Sequence, residues 1–323
     1  VDRGSGTMGG MRPIILILGP TAGGKTSLAI ELANSLPDGG ECVCADSMQI
    51  YTQMDIGTAK PTKNEQEAAP HHLFDMIDPS TQGFTVDSWL TLANKTIEEI
   101  RSRGKWPIVV GGTNLYVQSL LFGMFEAPSA DPQRRAELDE RTNDELREIL
   151  QSLDPVATTR IHINDRRRTI RAIEVSEITG KPISEQQSQW NGQTPREDSR
   201  IIGLDWAVGK INRRINKRVK LMMDEGLLEE VKSLQHELCP QAAEALGYKQ
   251  LLEHLRGECD LEHAVERIKI LTRRYAKAQR TWLKKFKVLP RTHFIEISEK
   301  QPQVIAKEAL MHAIEGSSSH NDA

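Results

Sequence analysis

This 323-residue sequence predicts an α/β fold, a parallel sheet flanked by helices, on three observations. Strand-like and helix-like runs alternate from residue 14 to residue 127. A glycine-rich loop joins the first strand to the first helix. Candidate polar groups fall after apolar strands, at the carboxyl ends where open α/β sheets bind ligands. Around Pro128 the alternation gives way to charged, helical sequence, so an all-α insertion is expected within the sheet domain.

The first strand is IILIL at 14–18, and it runs into Gly19-Pro20-Thr21-Ala22-Gly23-Gly24-Lys25-Thr26. This segment fits G-x-x-x-x-G-K-T, and LAIELANSL after it repeats apolar residues at helical spacing. The glycines let successive N–H groups turn inward onto phosphate oxygens, and the helix that begins near Lys25 adds its positive end. Lys25 is expected to neutralise the terminal phosphate and the Thr26 hydroxyl to hold Mg²⁺. The fold is therefore read as P-loop NTPase-like.

Further strands are expected at ECVCA (41–45), HHLFDMI (71–77) and PIVVGG (107–112), with helices at 89–104 and 115–123. Residues 128–199 read as the insertion, with a capping signal at Thr142-Asn143-Asp144-Glu145 and a glycine stop at Gly180. RIIGLDWAV then restarts the sheet. Amphipathic helices are expected at 210–225, 227–238, 242–256 and 260–286, followed by the strand HFIEI and a closing helix. The core is thus 11–127 with 200–316, and residues 1–10 and 317–323 read as disordered tails.

No apolar run approaches the ~20 residues that span a bilayer, so no membrane partner is expected and the cytoplasm is the expected location. The four cysteines lack metal-ligand spacing and read as buried thiols. A net charge of −3 does not by itself suggest a nucleic-acid partner, but the basic residues concentrate after residue 160.

A magnesium-dependent ATPase of the usual design needs an acid at the end of an apolar strand, and PIVVGGT ends in glycine and threonine. The acid at a strand end is Asp46, in CVCADSMQIY. It could organise Mg²⁺ in a kinase, act as a base across from the phosphates, or cap a turn.

The strings GPTAGGKT (19–26), ADSMQIYTQMDIGTAKP (45–61), APHHLFDMIDP (69–79), VGGTNLYVQSLL (110–121), SADP (129–132), RAIEVSEITGKP (171–182) and TRRYAKAQRTW (272–282) together cover most of residues 14–286. The sequence resembles the tRNA dimethylallyltransferases, which prenylate the adenosine immediately 3′ of the anticodon. The resemblance implies a P-loop that takes dimethylallyl diphosphate in place of ATP, and an insertion that grips the anticodon stem-loop of tRNA. It assigns the extra diphosphate-binding arginine to Arg218, the general base to Asp46, and the hydroxyl that helps hold the acceptor amine to Thr113. Ser47, Met48 and Gln49 match the segment receiving the flipped adenosine. Contacts to tRNA map to Arg135, Arg167, Arg168, Arg171, Lys277, Gln279 and Arg280. Arg167 stands where the family usually has glutamine, and Ala278 and Arg280 differ from the familiar bacterial version of their helix.

Nothing in the sequence demands more than a monomer. The rival readings are a P-loop kinase of a small molecule or nucleotide, a prenyltransferase acting on free AMP, and a non-catalytic RNA-binding module. The missing acid after PIVVGG disfavours the first, the arginine-rich insertion the second, and an otherwise idle P-loop the third.

Overall fold

In the computed structural model, residues 11–124, 131–187, 194–297 and 300–315 are described. The expected tails at 1–10 and 317–323, and residues 128–130 and 188–193 of the expected insertion, lie outside them.

Every residue of Ile14–Leu18 (β1) and of Gly40–Ala45 (β2) is buried, which explains their apolar runs: a strand covered on both faces has no solvent side. Lys25–Ser35 (α1) lies between them. The chain continues through Lys63–Ala68 (α2), His71–His72 (β3), Val86–Ser102 (α3), Trp106–Gly111 (β4) and Asn114–Phe122 (α4). Five helices follow: Pro132–Asp139 (α5), Asn143–Leu153 (α6), Pro155–Arg160 (α7), Arg166–Thr179 (α8) and Ile183–Gln187 (α9). Ser199–Asp205 (β5) resumes the sheet. Then come Val208–Asp224 (α10), Leu227–Leu234 (α11), Pro240–Ala243 (α12), Tyr248–Leu255 (α13), Leu261–Phe286 (α14), Thr292–Glu296 (β6) and Pro302–Ile314 (α15).

The six strands pair in parallel in the order β3-β2-β4-β1-β5-β6. That order sets the carboxyl ends of β2, β4 and β1 side by side, so the loops that begin at Asp46, Gly112 and Gly19 open on one edge. One core packs Leu28 and Leu32 of α1 and Ala309 and Ala313 of α15 with Ile15, Ile17, Ile202 and Ile295 of the sheet. A second joins Ile50, Tyr51 and Met54 to α10, α11, α13 and α14, and Ile211, Ile215 and Val219, spaced four apart, supply the apolar stripe of α10.

Two expected elements differ. HHLFDMI is a strand only at His71–His72, because Leu73 (φ 61°) and Asp75 (φ 51°) take left-handed backbone conformations that a strand cannot hold. The expected helix 242–256 is divided by Gly247 (φ 97°), which restarts the chain as α13.

By its contacts the chain divides into one unit of Val1–Leu121 with Pro195–Ala323 and a second of Phe122–Thr194. The return to the first unit comes earlier than the expected 199/200 for a physical reason. Arg196 N–H donates to Leu121 O (2.9 Å), Ile14 N–H donates to Asp198 O (2.7 Å), and Asp198 is paired with both Arg101 and Arg196.

The second unit has its own core, including Leu138, Leu146, Leu150, Ile170 and Ile173. Its capping box at Thr142 and its glycine stop at Gly180 (φ 66°) lie where the sequence placed them. Glu174 on α8 is fully buried and receives Arg135 of α5 through two hydrogen bonds, at 3.0 and 2.6 Å, with Arg171 at 3.7 Å. Losing one partner of a buried pair strands the other charge, at a cost of about 3–5 kcal/mol when both are buried. Arg135 is half-exposed, so Arg135→Ala is expected to cost about 2 kcal/mol of this unit's stability, read as a lower urea midpoint. An unchanged midpoint would show that the pair contributes nothing.

Candidate active site

The phosphate loop is built from backbone, and side chains from elsewhere in the chain hold it. Gly24 sits at φ 84°, a conformation available to glycine at little cost, and no side chain caps α1, so the helix's first amides are free for an anion. Gly23 N–H donates to Pro20 O (3.0 Å). Trp206, just past β5, donates from Nε1 to Gly23 O (3.1 Å), and Arg214 on α10 donates from Nε to Ala22 O (2.9 Å) while its guanidinium stacks on Trp206. With these carbonyls held outward, the amides between them face the ligand.

Lys25 lies across the loop, donating to Gly19 O (3.2 Å) and Pro20 O (3.1 Å). Burial, opposed by the Asp46 carboxylate and helped by the nearby Arg218, brings its pKa down to about 8. Arg218 is likewise shifted below its ordinary value by burial and countered by Asp46. The three groups thus share one electrostatic environment. The Thr26 hydroxyl has no hydrogen-bond partner among the described residues, which suits a donor for Mg²⁺, a cation that keeps much of its shell as water and phosphate oxygen. Among the described residues no group of three or more His, Cys, Asp or Glu could hold a metal.

Opposite the loop, Asp46 begins the turn after β2 and accepts Met48 N–H on Oδ1 (2.9 Å), while Oδ2 has no partner among the described residues. Thr113, after β4, starts α4 with its carbonyl, which accepts from Tyr116 and Val117. Its hydroxyl turns instead to Ser47, accepting from the amide at 3.0 Å and donating to the side-chain oxygen at 3.4 Å. Gln49 spends its amide inside the protein: Cys44 donates to Oε1 (3.2 Å), and Nε2 donates to Thr58 O and Ala59 O, both at 3.0 Å. Glu230 pins the same segment by accepting the amides of Asp55, Ile56 and Gly57 at 3.0, 2.7 and 3.0 Å.

These loops border a cavity of about 260 Å³. Thr21, Asp46 and Arg218 form its polar side, and Ile215, Val219, Leu246 and Ile268 its apolar one.

Residues 49–286 match the family model described as IPP transferase, and residues 12–76 match one described as isopentenyl transferase. A tRNA dimethylallyltransferase of Acetivibrio thermocellus is 45% identical over 283 residues, covering 85% of this chain and 90% of that protein. One from Corynebacterium jeikeium is 43% identical over 307 residues, covering 93% and 96%. Among solved structures, a full-length tRNA isopentenylpyrophosphate transferase of Bacillus halodurans is 35% identical with a TM-score of 0.67, covering 94% of this chain and 97% of that one. A eukaryotic dimethylallyltransferase, solved in snapshots of its action on tRNA, is 30% identical with a TM-score of 0.77, covering 92% and 77%. The chain belongs to the tRNA dimethylallyltransferase family.

As a member of that family the chain is an enzyme, and its expected residues fall into two groups. Asp46, Ser47, Met48, Thr113, Gln279, Arg218 and the loop 19–26 all lie in the sheet-bearing unit around the converging strand ends. The expected RNA contacts are dispersed. Arg167 and Arg168 are exposed on α8, with Asp165 3.4 Å from Arg168; Arg135 and Arg171 are engaged with Glu174; Lys277 is exposed on α14. Arg280 keeps a buried Nε with no hydrogen-bond partner.

Sequence reasoning missed Trp206, Arg214 and Glu230. Arg214 lies four residues before Arg218, on the same helical face, and that spacing was a usable signal.

If Lys25 pairs with the diphosphate as the resemblance implies, raising the pH through about 8 should weaken inorganic diphosphate binding. Between pH 7 and pH 9 the protonated fraction falls about tenfold, and calorimetric affinity should fall with it. A flat profile would show that Lys25 stays charged or takes no part.

Proposed function

We infer that this enzyme transfers the dimethylallyl group of dimethylallyl diphosphate to the exocyclic amine of the adenosine immediately 3′ of the anticodon in tRNA, releasing diphosphate. The observation that carries this reading is the placement of the phosphate loop and Asp46 on the same sheet edge, at the ends of β1 and β2 with β4 between them, beside a cavity lined by both polar and apolar residues. A kinase would instead place a metal-organising acid at a strand end such as that of β4, where this chain has Gly111, Gly112 and Thr113.

The diphosphate sits on the amides of Gly24 to Thr26, with the other residues of the 19–26 loop shaping the cradle and Lys25 and Arg218 neutralising its charge. Thr26 would hold Mg²⁺, which would supply further stabilisation of the leaving group. As the bond from the first prenyl carbon to oxygen breaks, its electron pair departs with diphosphate. The amine's lone pair forms the new carbon–nitrogen bond, and the amine proton passes to the free oxygen of Asp46. Thr113 and Ser47 orient the amine, and Met48 lines the site of the extruded base. A cavity of roughly 150 Å³ takes benzene, so the space here accommodates a five-carbon chain. Arg167, Arg168, Lys277 and Arg280 supply phosphate contacts to the anticodon arm, while Arg135 and Arg171 act mainly through Glu174.

Every group in this scheme comes from one chain, so a monomer suffices, and a tRNA acceptor supports a cytoplasmic reading. Among the described residues no helix is long and apolar enough to cross a membrane.

Asp46→Ala should lower kcat by about 10²–10⁴ while anticodon stem-loop affinity stays within a few fold; full activity in this variant would remove Asp46 as the base. Arg168→Glu should flatten the plot of log tRNA affinity against log salt by at least about 0.7, the share of one phosphate contact. An unchanged slope would show that Arg168 faces only solvent.

A further inference from the structure

Gln279, expected from the family to touch tRNA, is only 2% exposed, and both ends of its amide are used within the protein. Oε1 accepts from the backbone amide of Thr21 in the phosphate loop (2.8 Å), and Nε2 donates to the carbonyl of Gly112 (3.0 Å), the residue before Thr113. One buried side chain on α14 therefore spans the loop after β1 and the turn after β4. A Cβ at Gly112 would lie 2.4 Å from Gln279 Nε2, so the close approach depends on the glycine. Tyr275, one helical turn earlier on α14, donates to the same carbonyl (3.2 Å).

We propose that Gln279 is a positioning residue that sets the spacing between the phosphate loop, which carries the prenyl donor, and the Gly112–Thr113 turn, which faces the acceptor amine. The proposal rests on the reading of the site given above. Turning the amide outward to RNA, or giving up the Thr21 amide to a phosphate, would leave buried polar groups unsatisfied, so the bridge persists through the reaction. The Thr21 amide is then withheld from the diphosphate, which takes its hydrogen bonds from Gly24 onward. The role concerns alignment: a misplacement of about 1 Å between reacting groups costs on the order of 10² in rate with little change in binding.

The test is a set of variants assayed with dimethylallyl diphosphate and an anticodon stem-loop. Gln279→Ala should reduce kcat about 10²-fold, with affinities for inorganic diphosphate and for the stem-loop within about threefold of the wild type. Gly112→Ala, which displaces the amide without removing it, should lose a similar factor. The double variant should lose no more than either single one, since both remove the same bridge. Gln279→Met, which keeps the side-chain bulk, should behave as Gln279→Ala does.

A stem-loop affinity that falls in step with kcat would make Gln279 an RNA contact, and a matching fall in diphosphate affinity would make it a ligand. Full activity in Gln279→Met would show that packing is its only role. Each result overturns the proposal, as would additive losses in the double variant. If the wild type itself transfers no prenyl group to the stem-loop, the reading of the site falls and the positioning role falls with it; any of the other contrary results removes the positioning role alone.

Discussion

Backbone amides can receive a phosphate only when the carbonyls between them are held elsewhere, and the whole site depends on that restraint. Three side chains far from the loop in sequence apply it or brace the loop. Arg214 takes the carbonyl of Ala22, Trp206 that of Gly23, and Gln279 takes the amide of Thr21. Arg214 and Trp206 also stack, so one restraint supports the next. The loop is thereby preorganised, and little reorganisation remains when charge develops on the leaving group.

Electrostatics follow from the same geometry. Lys25 and Arg218 are both made less basic by burial, and Asp46 is the neighbour that favours their charged forms. On the proposed mechanism a departing diphosphate would strengthen the same two cations just as the carboxylate receives a proton, and this cluster would couple leaving-group stabilisation to base catalysis. The sheet order produces it, because β2, β4 and β1 are neighbours although β3 and two helices separate β2 from β4 along the chain.

What could be read from the sequence was what is contiguous in it. The phosphate loop is eight consecutive residues between a strand and a helix, and the capping box at Thr142 and the stop at Gly180 are equally local. The braces on the loop were illegible because they are 183, 192 and 258 residues from the groups they hold. For the same reason the ion pair of Arg135 could not be read, since its partner Glu174 lies 39 residues away and fully buried. HHLFDMI has strand composition, and only the left-handed conformations at Leu73 and Asp75 show why pairing stops after two residues. Gln49 read as an adenine-reading amide, yet its hydrogen bonds to Cys44, Thr58 and Ala59 make it a brace for the cavity wall.

The central claim is that this preorganised loop cradles an allylic diphosphate opposite Asp46, and a crystal structure with an inert thio-analogue of dimethylallyl diphosphate and an anticodon stem-loop addresses it most directly. The account predicts the diphosphate on the amides of Gly24 to Thr26, Lys25 turned from the Gly19 and Pro20 carbonyls toward it, and the first prenyl carbon between the leaving oxygen and an adenine amine beside Asp46. A diphosphate bound elsewhere, or an adenine amine out of reach of Asp46, would contradict it.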